Sequence, residues 1–319
     1  MRKGLKFAVV IATFNREICL LNLLHSISKS KILPDQICIV AAGKDVSQTI
    51  KKFDNTLNIV YKHSETANQI LQKKEGILLL SPIINHVIFL DDDLIVEPQS
   101  FNSIFSSINE LNLQGYKVDG AGFNTDNVSK INNLSSIFRF VAKVFLLAGN
   151  TPGKILKSGH AVNYLQSKQV CETSWLNGAS IWTRECANLY RGHANASEYS
   201  AYEDVYFSYS MRKKGFKLFY FPNSKINLQK ENVTDYNDYK INLISMISKY
   251  YFVVSNKEFS LIALLWSQIG RSFFYLYAII VQRKKISLKN IFLPLLLLKI
   301  IAKRKLTGIS SILTVENIH

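Results

Sequence analysis

Three consecutive carboxylates, Asp91, Asp92 and Asp93, directly follow an apolar run over residues 87–90. The run predicts a buried strand, so the acids would stand at its carboxyl end, where open α/β sheets bind ligands. Alternation sends Asp91 and Asp93 to the same side, where their charges repel each other. A divalent cation, Mg²⁺ or Mn²⁺, would relieve this repulsion and bind a substrate diphosphate. A cap for the next helix is the structural alternative, but one acid would suffice for it.

A second acidic pair, Glu203 and Asp204, opens a predicted helix over residues 203–214. The helix dipole favours acids at this position, so a structural role explains the pair equally well. A chain with a metal–diphosphate site also needs a general base to deprotonate an acceptor hydroxyl. Both interpretations stay open on these residues alone.

The segment WLNG at 175–178 lies shortly before that acidic pair. Trp175 could stack on a sugar or belong to the core. Lys73, on the predicted helix before the aspartates, could face phosphates or solvent. The sequence contains no GxxxxGK[ST] phosphate loop and no GxGxxG fingerprint, which disfavours a P-loop kinase and a dinucleotide dehydrogenase.

Strand and helix patterns alternate along the first 230 residues. Strands are predicted at 7–12, 36–42, 59–61, 86–90, 118–123 and 218–222, a loop and strand at 175–180, and helices at 17–30, 67–80, 98–113 and 203–214. This alternation predicts an α/β fold with a Rossmann-like, mostly parallel sheet flanked by helices. The irregular stretch 126–164 is interpreted as an insertion that faces a substrate.

The formal net charge of +16 requires an anionic partner: nucleic acid, a phosphorylated small molecule or an anionic lipid surface. Basic residues crowd around the apolar segments 259–281 and 291–302, which favours an anionic membrane surface. The first segment is long enough to span a bilayer. Arg271 near its middle favours a helix that lies in the interface instead. Two buried helices of a soluble subdomain are the remaining alternative.

Two features favour a cytoplasmic protein. The N-terminal residues 1–6 lead into a strand-like stretch without a long apolar core, so no signal peptide is expected. The four cysteines have no CxxC spacing, which argues against a zinc site and a secreted disulfide framework.

Taken in order, the motifs resemble glycosyltransferase family 2, which has the GT-A fold, over about residues 6–230. The matching segments are the opening strand and nucleotide loop at 9–16, a QRNxG-like segment at 72–76, the DxD region at 89–93, the WLNG loop at 175–178 and the ED pair at 203–204. The resemblance implies a catalytic domain at 1–230. A C-terminal helical, basic and apolar membrane-associated region is expected at 231–319.

The resemblance implies an inverting transfer from a nucleoside-diphosphate sugar to an acceptor hydroxyl. Asp204 would be the base, with Glu203 less favoured, and Asp93 would bind the metal with help from Asp91. Asp92 or Asp91 would touch the donor. The other implied donor contacts are Thr13, Phe14, Asn15, Arg16, Gly43, Gln72 and Lys73, and the acceptor contacts are Trp175, Asn177 and Gly178.

Three departures from the family pattern stand out. Many family members have an acid after the second strand that contacts the nucleobase of the donor, whereas this chain has Ala41-Ala42-Gly43. The asparagine of the QRNxG segment is replaced by Lys74. Where a histidine often supplies a further metal ligand, the chain has Asn227, Leu228 and Gln229. Uridine specificity is therefore not implied, and a modest metal affinity is expected.

Basic, apolar C-terminal regions in this family accompany the synthesis of bacterial surface polysaccharides, so the acceptor is expected to be a saccharide or lipid-linked saccharide at the cytoplasmic face of the inner membrane. One alternative is a sugar nucleotidyltransferase, whose Gly-rich phosphate loop the sequence lacks. Another is a non-enzymatic basic membrane-surface scaffold or nucleic-acid-binding protein, but the sequence has no recognised nucleic-acid motif and no nucleic acid is expected as a partner. The sugar, the nucleotide and the oligomeric state stay open.

Overall fold

The computed structural model describes residues 5–125, 136–165, 167–190, 201–229 and 239–307. For residues 304–307 it describes the backbone alone. The chain divides into two compact units. The first consists of residues 1–133, 152–154 and 163–233, and the second of residues 134–151, 155–162 and 234–319. The predicted domain boundary at residue 230 lies outside the described residues.

The first unit is built on one large sheet, with nine strands in the described part of the chain. Its order is β3-β2-β1-β4-β8-β6-β9-β5, and β7 pairs with β9. The strands are β1 (Phe7–Phe14), β2 (Gln36–Ala42), β3 (Ile59–Ser64), β4 (His86–Asp91), β5 (Leu94–Val96), β6 (Gly120–Thr125), β7 (Cys171–Glu172), β8 (Ser180–Thr183) and β9 (Leu218–Leu228).

Six helices of the first unit flank this sheet where the chain is described. They are α1 (Glu17–Ser28), α2 (Ser47–Lys51), α3 (Gln69–Leu78), α4 (Ser100–Leu113), α6 (Arg184–Asn188) and α7 (Glu203–Lys213). Alternate residues of β1 pack into two different clusters: Val9 and Ile11 with α1 and α4, and Ala8 and Val10 with α3 and α7. Because both faces are covered, β1 and β2 have the continuous apolar runs from which they were predicted.

The pairing directions of the strands confirm most of the predicted sheet and correct it at β5, β7 and β8. β1 pairs in parallel with β2 and β4, and β2 pairs in parallel with β3. β8 is antiparallel to both β4 and β6, and β5 and β7 are antiparallel to β9. β6 pairs in parallel with β9. Six of the nine strands in the described part of the chain therefore run in one direction, as a mostly parallel sheet requires, and the prediction missed only that β5, β7 and β8 run in the other. An apolar run reveals burial but carries no information on strand direction.

The second unit is helical in its described part. Its helices are α5 (Ser136–Val144), α8 (Tyr239–Ser255), α9 (Leu261–Ile280) and α10 (Leu293–Thr307), with a 3-10 turn at Leu288–Phe292. Trp266 donates its indole N–H to the carbonyl of Val144 at 2.8 Å. The rings of Phe138 and Tyr277 pack at a tilt with their centroids 4.5 Å apart, so α5 packs on α9. The interpretation of residues 126–164 as irregular is wrong for α5, whose apolar side chains pack on another helix.

The length and apolar character that a bilayer crossing requires are not combined in any helix of the described residues.

Candidate functional site

The two acidic motifs meet around one buried lysine. The ammonium of Lys73, on α3, donates to Glu203 Oε1 at 2.7 Å and lies 3.5 Å from Asp91 Oδ1. Asp91 ends β4, and Glu203 begins α7. The Lys73 side chain is only 3% exposed, so this contact lies inside the protein and joins three elements.

The charge of Lys73 is stabilised by its neighbours. Burial alone would lower the pKa of its ammonium, but the carboxylates of Glu203 and Asp91 outweigh burial and raise that pKa well above its ordinary value. The ammonium is thus directed at protein carboxylates, with which a donor phosphate would have to compete. Donor binding by Lys73 stays a prediction.

Asp204 lies in the first turn of α7 and is half-buried. One carboxylate oxygen accepts the backbone N–H of Val205 at 2.7 Å. Burial and the charge of Glu203 raise the pKa of Asp204 to about 7, against the opposing effect of Lys73. A carboxyl that titrates near neutral pH has the proton affinity that a general base needs.

A small pocket lies beside Asp204, and Lys73, Phe89, Asn177, Gly178 and Glu203 contribute to its lining. Two buried oxygens of lining residues, Glu203 Oε2 and Asn177 Oδ1, have no hydrogen-bond partner within the described structure. Unpaired buried acceptors are costly unless a ligand or water donates to them. The pocket therefore suits a ligand with hydroxyl donors.

The WLNG segment reaches the pocket through its last three residues, Leu176, Asn177 and Gly178. The backbone N–H of Asn177 donates to the Tyr164 hydroxyl at 2.7 Å. A Cβ on Gly178 would lie 2.2 Å from Asp91 Oδ2, so a side chain at this position would have to displace the Asp91 carboxylate. Trp175 instead packs on the Tyr164 ring at 4.7 Å.

The other two aspartates interact with the loop after β1. Thr13 donates its hydroxyl to Asp92 Oδ2 at 2.7 Å, and Arg16 Nη1 lies 3.1 Å from Asp92 Oδ1 and 3.3 Å from Asp93 Oδ2. Burial raises the pKa of Asp92 to about 6, although Thr13 and Arg16 act against it. Asp92 is 5% exposed and therefore ties the aspartate segment to β1 from within.

The ends of β1 and β2 form an exposed edge beside the aspartates. Asn15 has a positive φ of 54°, and its side-chain oxygen accepts the backbone N–H of Lys44 at 2.8 Å. Gly43 has a φ of 75°, and a Cβ there would lie 2.3 Å from Asn15 Oδ1. The predicted donor residues Phe14, Asn15, Arg16 and Gly43 are exposed along this edge.

Two glutamines support these loops from behind. Gln72 is 2% exposed and donates its amide to the carbonyls of Thr13 and Val40 at 2.8 and 2.9 Å. Gln229, which sequence reasoning noted only as a missing metal ligand, donates its amide to the carbonyls of Cys19 and Asp92 at 2.9 and 3.3 Å. The backbone N–H of Gln229 donates to the backbone carbonyl of Asp93 at 2.8 Å. Only its position in the motif order could have signalled this role.

A cation could be held at this site by two carboxylates. Among the described residues, no group of three or more His, Cys, Asp or Glu side chains is placed to hold a metal ion. Burial, and then the charge of Asp91, raise the pKa of Asp93, so these two carboxylates interact electrostatically. Oxygen ligands of this type fit Mg²⁺ or Mn²⁺ when water and a diphosphate complete the coordination.

Comparisons with known proteins identify the family of the chain and its fold. A family model described as "Glycosyltransferase like family 2" matches residues 4–239, whereas no curated protein sequence matches. TarS residues 1–349 from S. aureus, in complex with UDP-GlcNAc, is a solved structure of similar fold, with 15% identity, coverage of 92% of this chain and 80% of that chain, and a TM-score of 0.52. The mannosyltransferase PcManGT from Pyrobaculum calidifontis, in complex with GDP-Man and Mn2+, is 10% identical, with coverage of 95% and 76% and a TM-score of 0.54. At these identities the likeness shows the fold alone, a mixed α/β fold of the GT-A type.

Proposed function

Because the chain belongs to the glycosyltransferase-like family 2 and is therefore a glycosyltransferase, we propose that it moves the sugar of a nucleoside-diphosphate sugar to an acceptor hydroxyl with inversion. The observation that carries this proposal is that Asp91 and Glu203 both pair with Lys73, and that Lys73, Glu203 and Asp204 line one pocket. A donor-side acid and a base must lie this close together for direct transfer.

Asp204 is the proposed base. Its carboxylate takes the proton of the acceptor hydroxyl while that oxygen forms a bond to the anomeric carbon. The bond from this carbon to the diphosphate breaks on the opposite face, which inverts the configuration. Glu203 is less suited to this role because its Oε1 is already paired with Lys73 at 2.7 Å.

The donor is proposed to lie along the exposed edge formed by Phe14, Asn15, Arg16 and Gly43. Asp93, with Asp91, would hold Mg²⁺ or Mn²⁺, and a bound divalent cation supplies stabilisation of the negative charge on a departing diphosphate. The ligands of the two similar structures, UDP-GlcNAc and GDP-Man, support a nucleotide sugar as the donor class. They differ in both base and sugar, so the donor of this chain is not named more closely.

The acceptor is proposed to be a saccharide, most simply a lipid-linked one used for surface polysaccharide at the cytoplasmic face of the bacterial inner membrane. The unpaired oxygens Glu203 Oε2 and Asn177 Oδ1 support an acceptor with several hydroxyl donors. The basic and apolar second unit supports an anionic membrane surface as a partner. Confinement of enzyme and acceptor to one plane would raise their effective concentration.

The test compares Asp204→Asn with Asp54→Asn, a matched change at an exposed acid of the same unit. Release of nucleoside diphosphate from UDP-GlcNAc and GDP-Man would be measured with Mn²⁺, with and without a bacterial membrane extract as the source of acceptor. Because the base is removed without a change of shape, the rate is expected to fall about 10²- to 10⁴-fold in Asp204→Asn and to stay unchanged in Asp54→Asn. Full activity of Asp204→Asn would refute the assignment of the base.

A further inference from the structure

Helix α9 of the second unit has its polarity reversed. Its exposed side chains are all apolar and recur every three or four residues: Ile262, Trp266, Ile269, Phe273, Leu276 and Ile280, with exposures of 43% to 80%. Ser267 and Gln268, which are polar, are each 1% exposed. A helix that faces water shows the opposite distribution, so this stripe requires an apolar environment outside the described structure.

Helix α5 extends the apolar stripe. Its residues Ile137, Phe140 and Val144 are 71%, 67% and 48% exposed. Val144 accepts the indole N–H of Trp266, which belongs to the stripe of α9. We call these nine residues of α5 and α9 the apolar face. Continuous exposed apolar surfaces of this kind mark binding sites.

Basic side chains border the apolar face. Arg139 and Lys143 are exposed on α5, and Arg283, Lys284 and Lys285 are exposed directly after α9. Glu258 is the only acidic residue of the second unit within the described ranges. Long basic side chains beside apolar ones are the arrangement by which a helix lies at the surface of an anionic bilayer.

We infer that the apolar face binds the surface of an anionic lipid bilayer, with α5 and α9 lying parallel to the membrane plane. This inference gives the membrane partner of the proposed function a defined site and adds α5, which sequence analysis assigned to a substrate-facing insertion. A second copy of the chain is the competing occupant, because spacings of three and four also suit helix pairs. A second copy is disfavoured because the basic side chains around the two apolar faces would repel each other. Among the described residues of the second unit, only Glu258 could offset this repulsion.

The first experiment measures co-sedimentation of the full chain with vesicles of phosphatidylcholine alone or mixed with phosphatidylglycerol. The variant Ile262→Gln/Ile269→Gln/Ile280→Gln removes apolar side chains that are 80%, 48% and 65% exposed. Its matched control, Leu78→Gln/Ile83→Gln/Leu113→Gln, changes side chains of the first unit that are 84%, 62% and 80% exposed.

The unchanged chain is expected to bind the anionic vesicles at least about tenfold more tightly than the neutral ones, and added salt should weaken this binding. The triple α9 variant should lose about tenfold or more in affinity, whereas the control should bind normally. Equal binding by the two variants would overturn the inference. The inference would also be overturned if the unchanged chain formed a dimer in solution and did not bind vesicles, and if the triple α9 variant were monomeric.

A second measurement locates the contact. Trp266 is expected to shift its fluorescence to shorter wavelength on anionic vesicles, and Trp266→Phe should abolish the shift, because Trp175 and Trp182 lie in the first unit. A shift that persists in Trp266→Phe would refute this surface. Release of nucleoside diphosphate without vesicles reports on the proposed transfer separately, so a failure of either proposal can be recognised independently.

Discussion

Lys73 determines how the acids of the pocket behave together. Its ammonium has carboxylates from two different elements as partners, at 2.7 Å for Glu203 and 3.5 Å for Asp91. Without this charge, Glu203 would be a buried carboxylate beside Asp204 and without its counterion. Removal of one partner leaves the other charge buried and unpaired, and this costs more free energy of unfolding than the intact ion pair contributes.

The first prediction concerns the pH dependence of sugar transfer. The groups that act on Asp204 are Glu203, Lys73 and Asp91, and the resulting pKa is about 7. Because a base works only when deprotonated, kcat/KM should fall as pH drops below about 7. Lys73→Met removes a charge that lowers this pKa, so its profile should shift to higher pH.

The measurement is kcat/KM for donor turnover across the neutral pH range. Lys74→Met serves as the control because it changes the neighbouring lysine of the same helix, which lies outside the ion pair. A Lys73→Met profile that loses rate equally at every pH would contradict an electrostatic role for Lys73 toward Asp204.

Residue types and their order singled out acids that the fold brings together, but not the contacts that join them. The DxD and ED segments were identified because each follows or begins a predicted element. Lys73 and Glu203 are 130 positions apart, and Arg16 and Asp92 are 76 apart. Periodicity is a local property, so it contains no information about contacts over such distances.

At the scale of elements, β8 decides the shape of the pocket. It inserts antiparallel between β4 and β6, and the residues just before it bring Gly178 against the end of β4. The WLNG segment thereby contacts the first of the three aspartates, Asp91. Any side chain at position 178 would have to displace Asp91.

The second prediction is that Gly178→Ala lowers stability by about 1–3 kcal/mol, because its Cβ overlaps a carboxylate oxygen. An alanine Cβ at position 178 would lie 2.2 Å from Asp91 Oδ2 if neither residue moved. In an Asp91→Ala background the same change should cost far less, since the overlapping atom is gone. Chemical denaturation of the four proteins tests this coupling, and equal costs in both backgrounds would contradict it.

The accuracy of the predicted elements follows their burial. β1, β2 and β4 were predicted because their runs of apolar residues are covered on both faces. β5 and β7 were missed, because strands of three and two residues have no readable pattern. α8 was predicted only as part of the C-terminal helical region, without bounds, because the polar Asn242 and Lys249 are among its buried residues and obscure its apolar side.

For the molecule as a whole, the two-carboxylate site predicts that metal and nucleotide bind together. Two protein ligands hold a cation weakly, so Mn²⁺ or EDTA alone should leave the melting temperature unchanged. UDP or GDP with Mn²⁺ should raise it, by an amount that grows with ligand concentration relative to Kd.

Asp93→Ala should abolish the part of this shift that depends on Mn²⁺, and Asp54→Ala should not. The measurement is a thermal-shift series of the full chain with each nucleotide, in Mn²⁺ and in EDTA. Equal shifts in both conditions would exclude a role for the cation in binding the diphosphate.

The strand order also determines when during synthesis the enzyme becomes complete. Strands β1 to β4 come from residues 7–91 and pair with one another, whereas β5 can pair only after β9 is made, because its partners are residues 226–228. Sequence-local pairings form faster than distant ones. The nascent chain is therefore expected to display the aspartates on a half-sheet whose β4 edge stays open until β8 emerges from the ribosome. Such an unprotected edge invites pairing with other chains, so the earliest-made part of the site is also the part most in need of a chaperone.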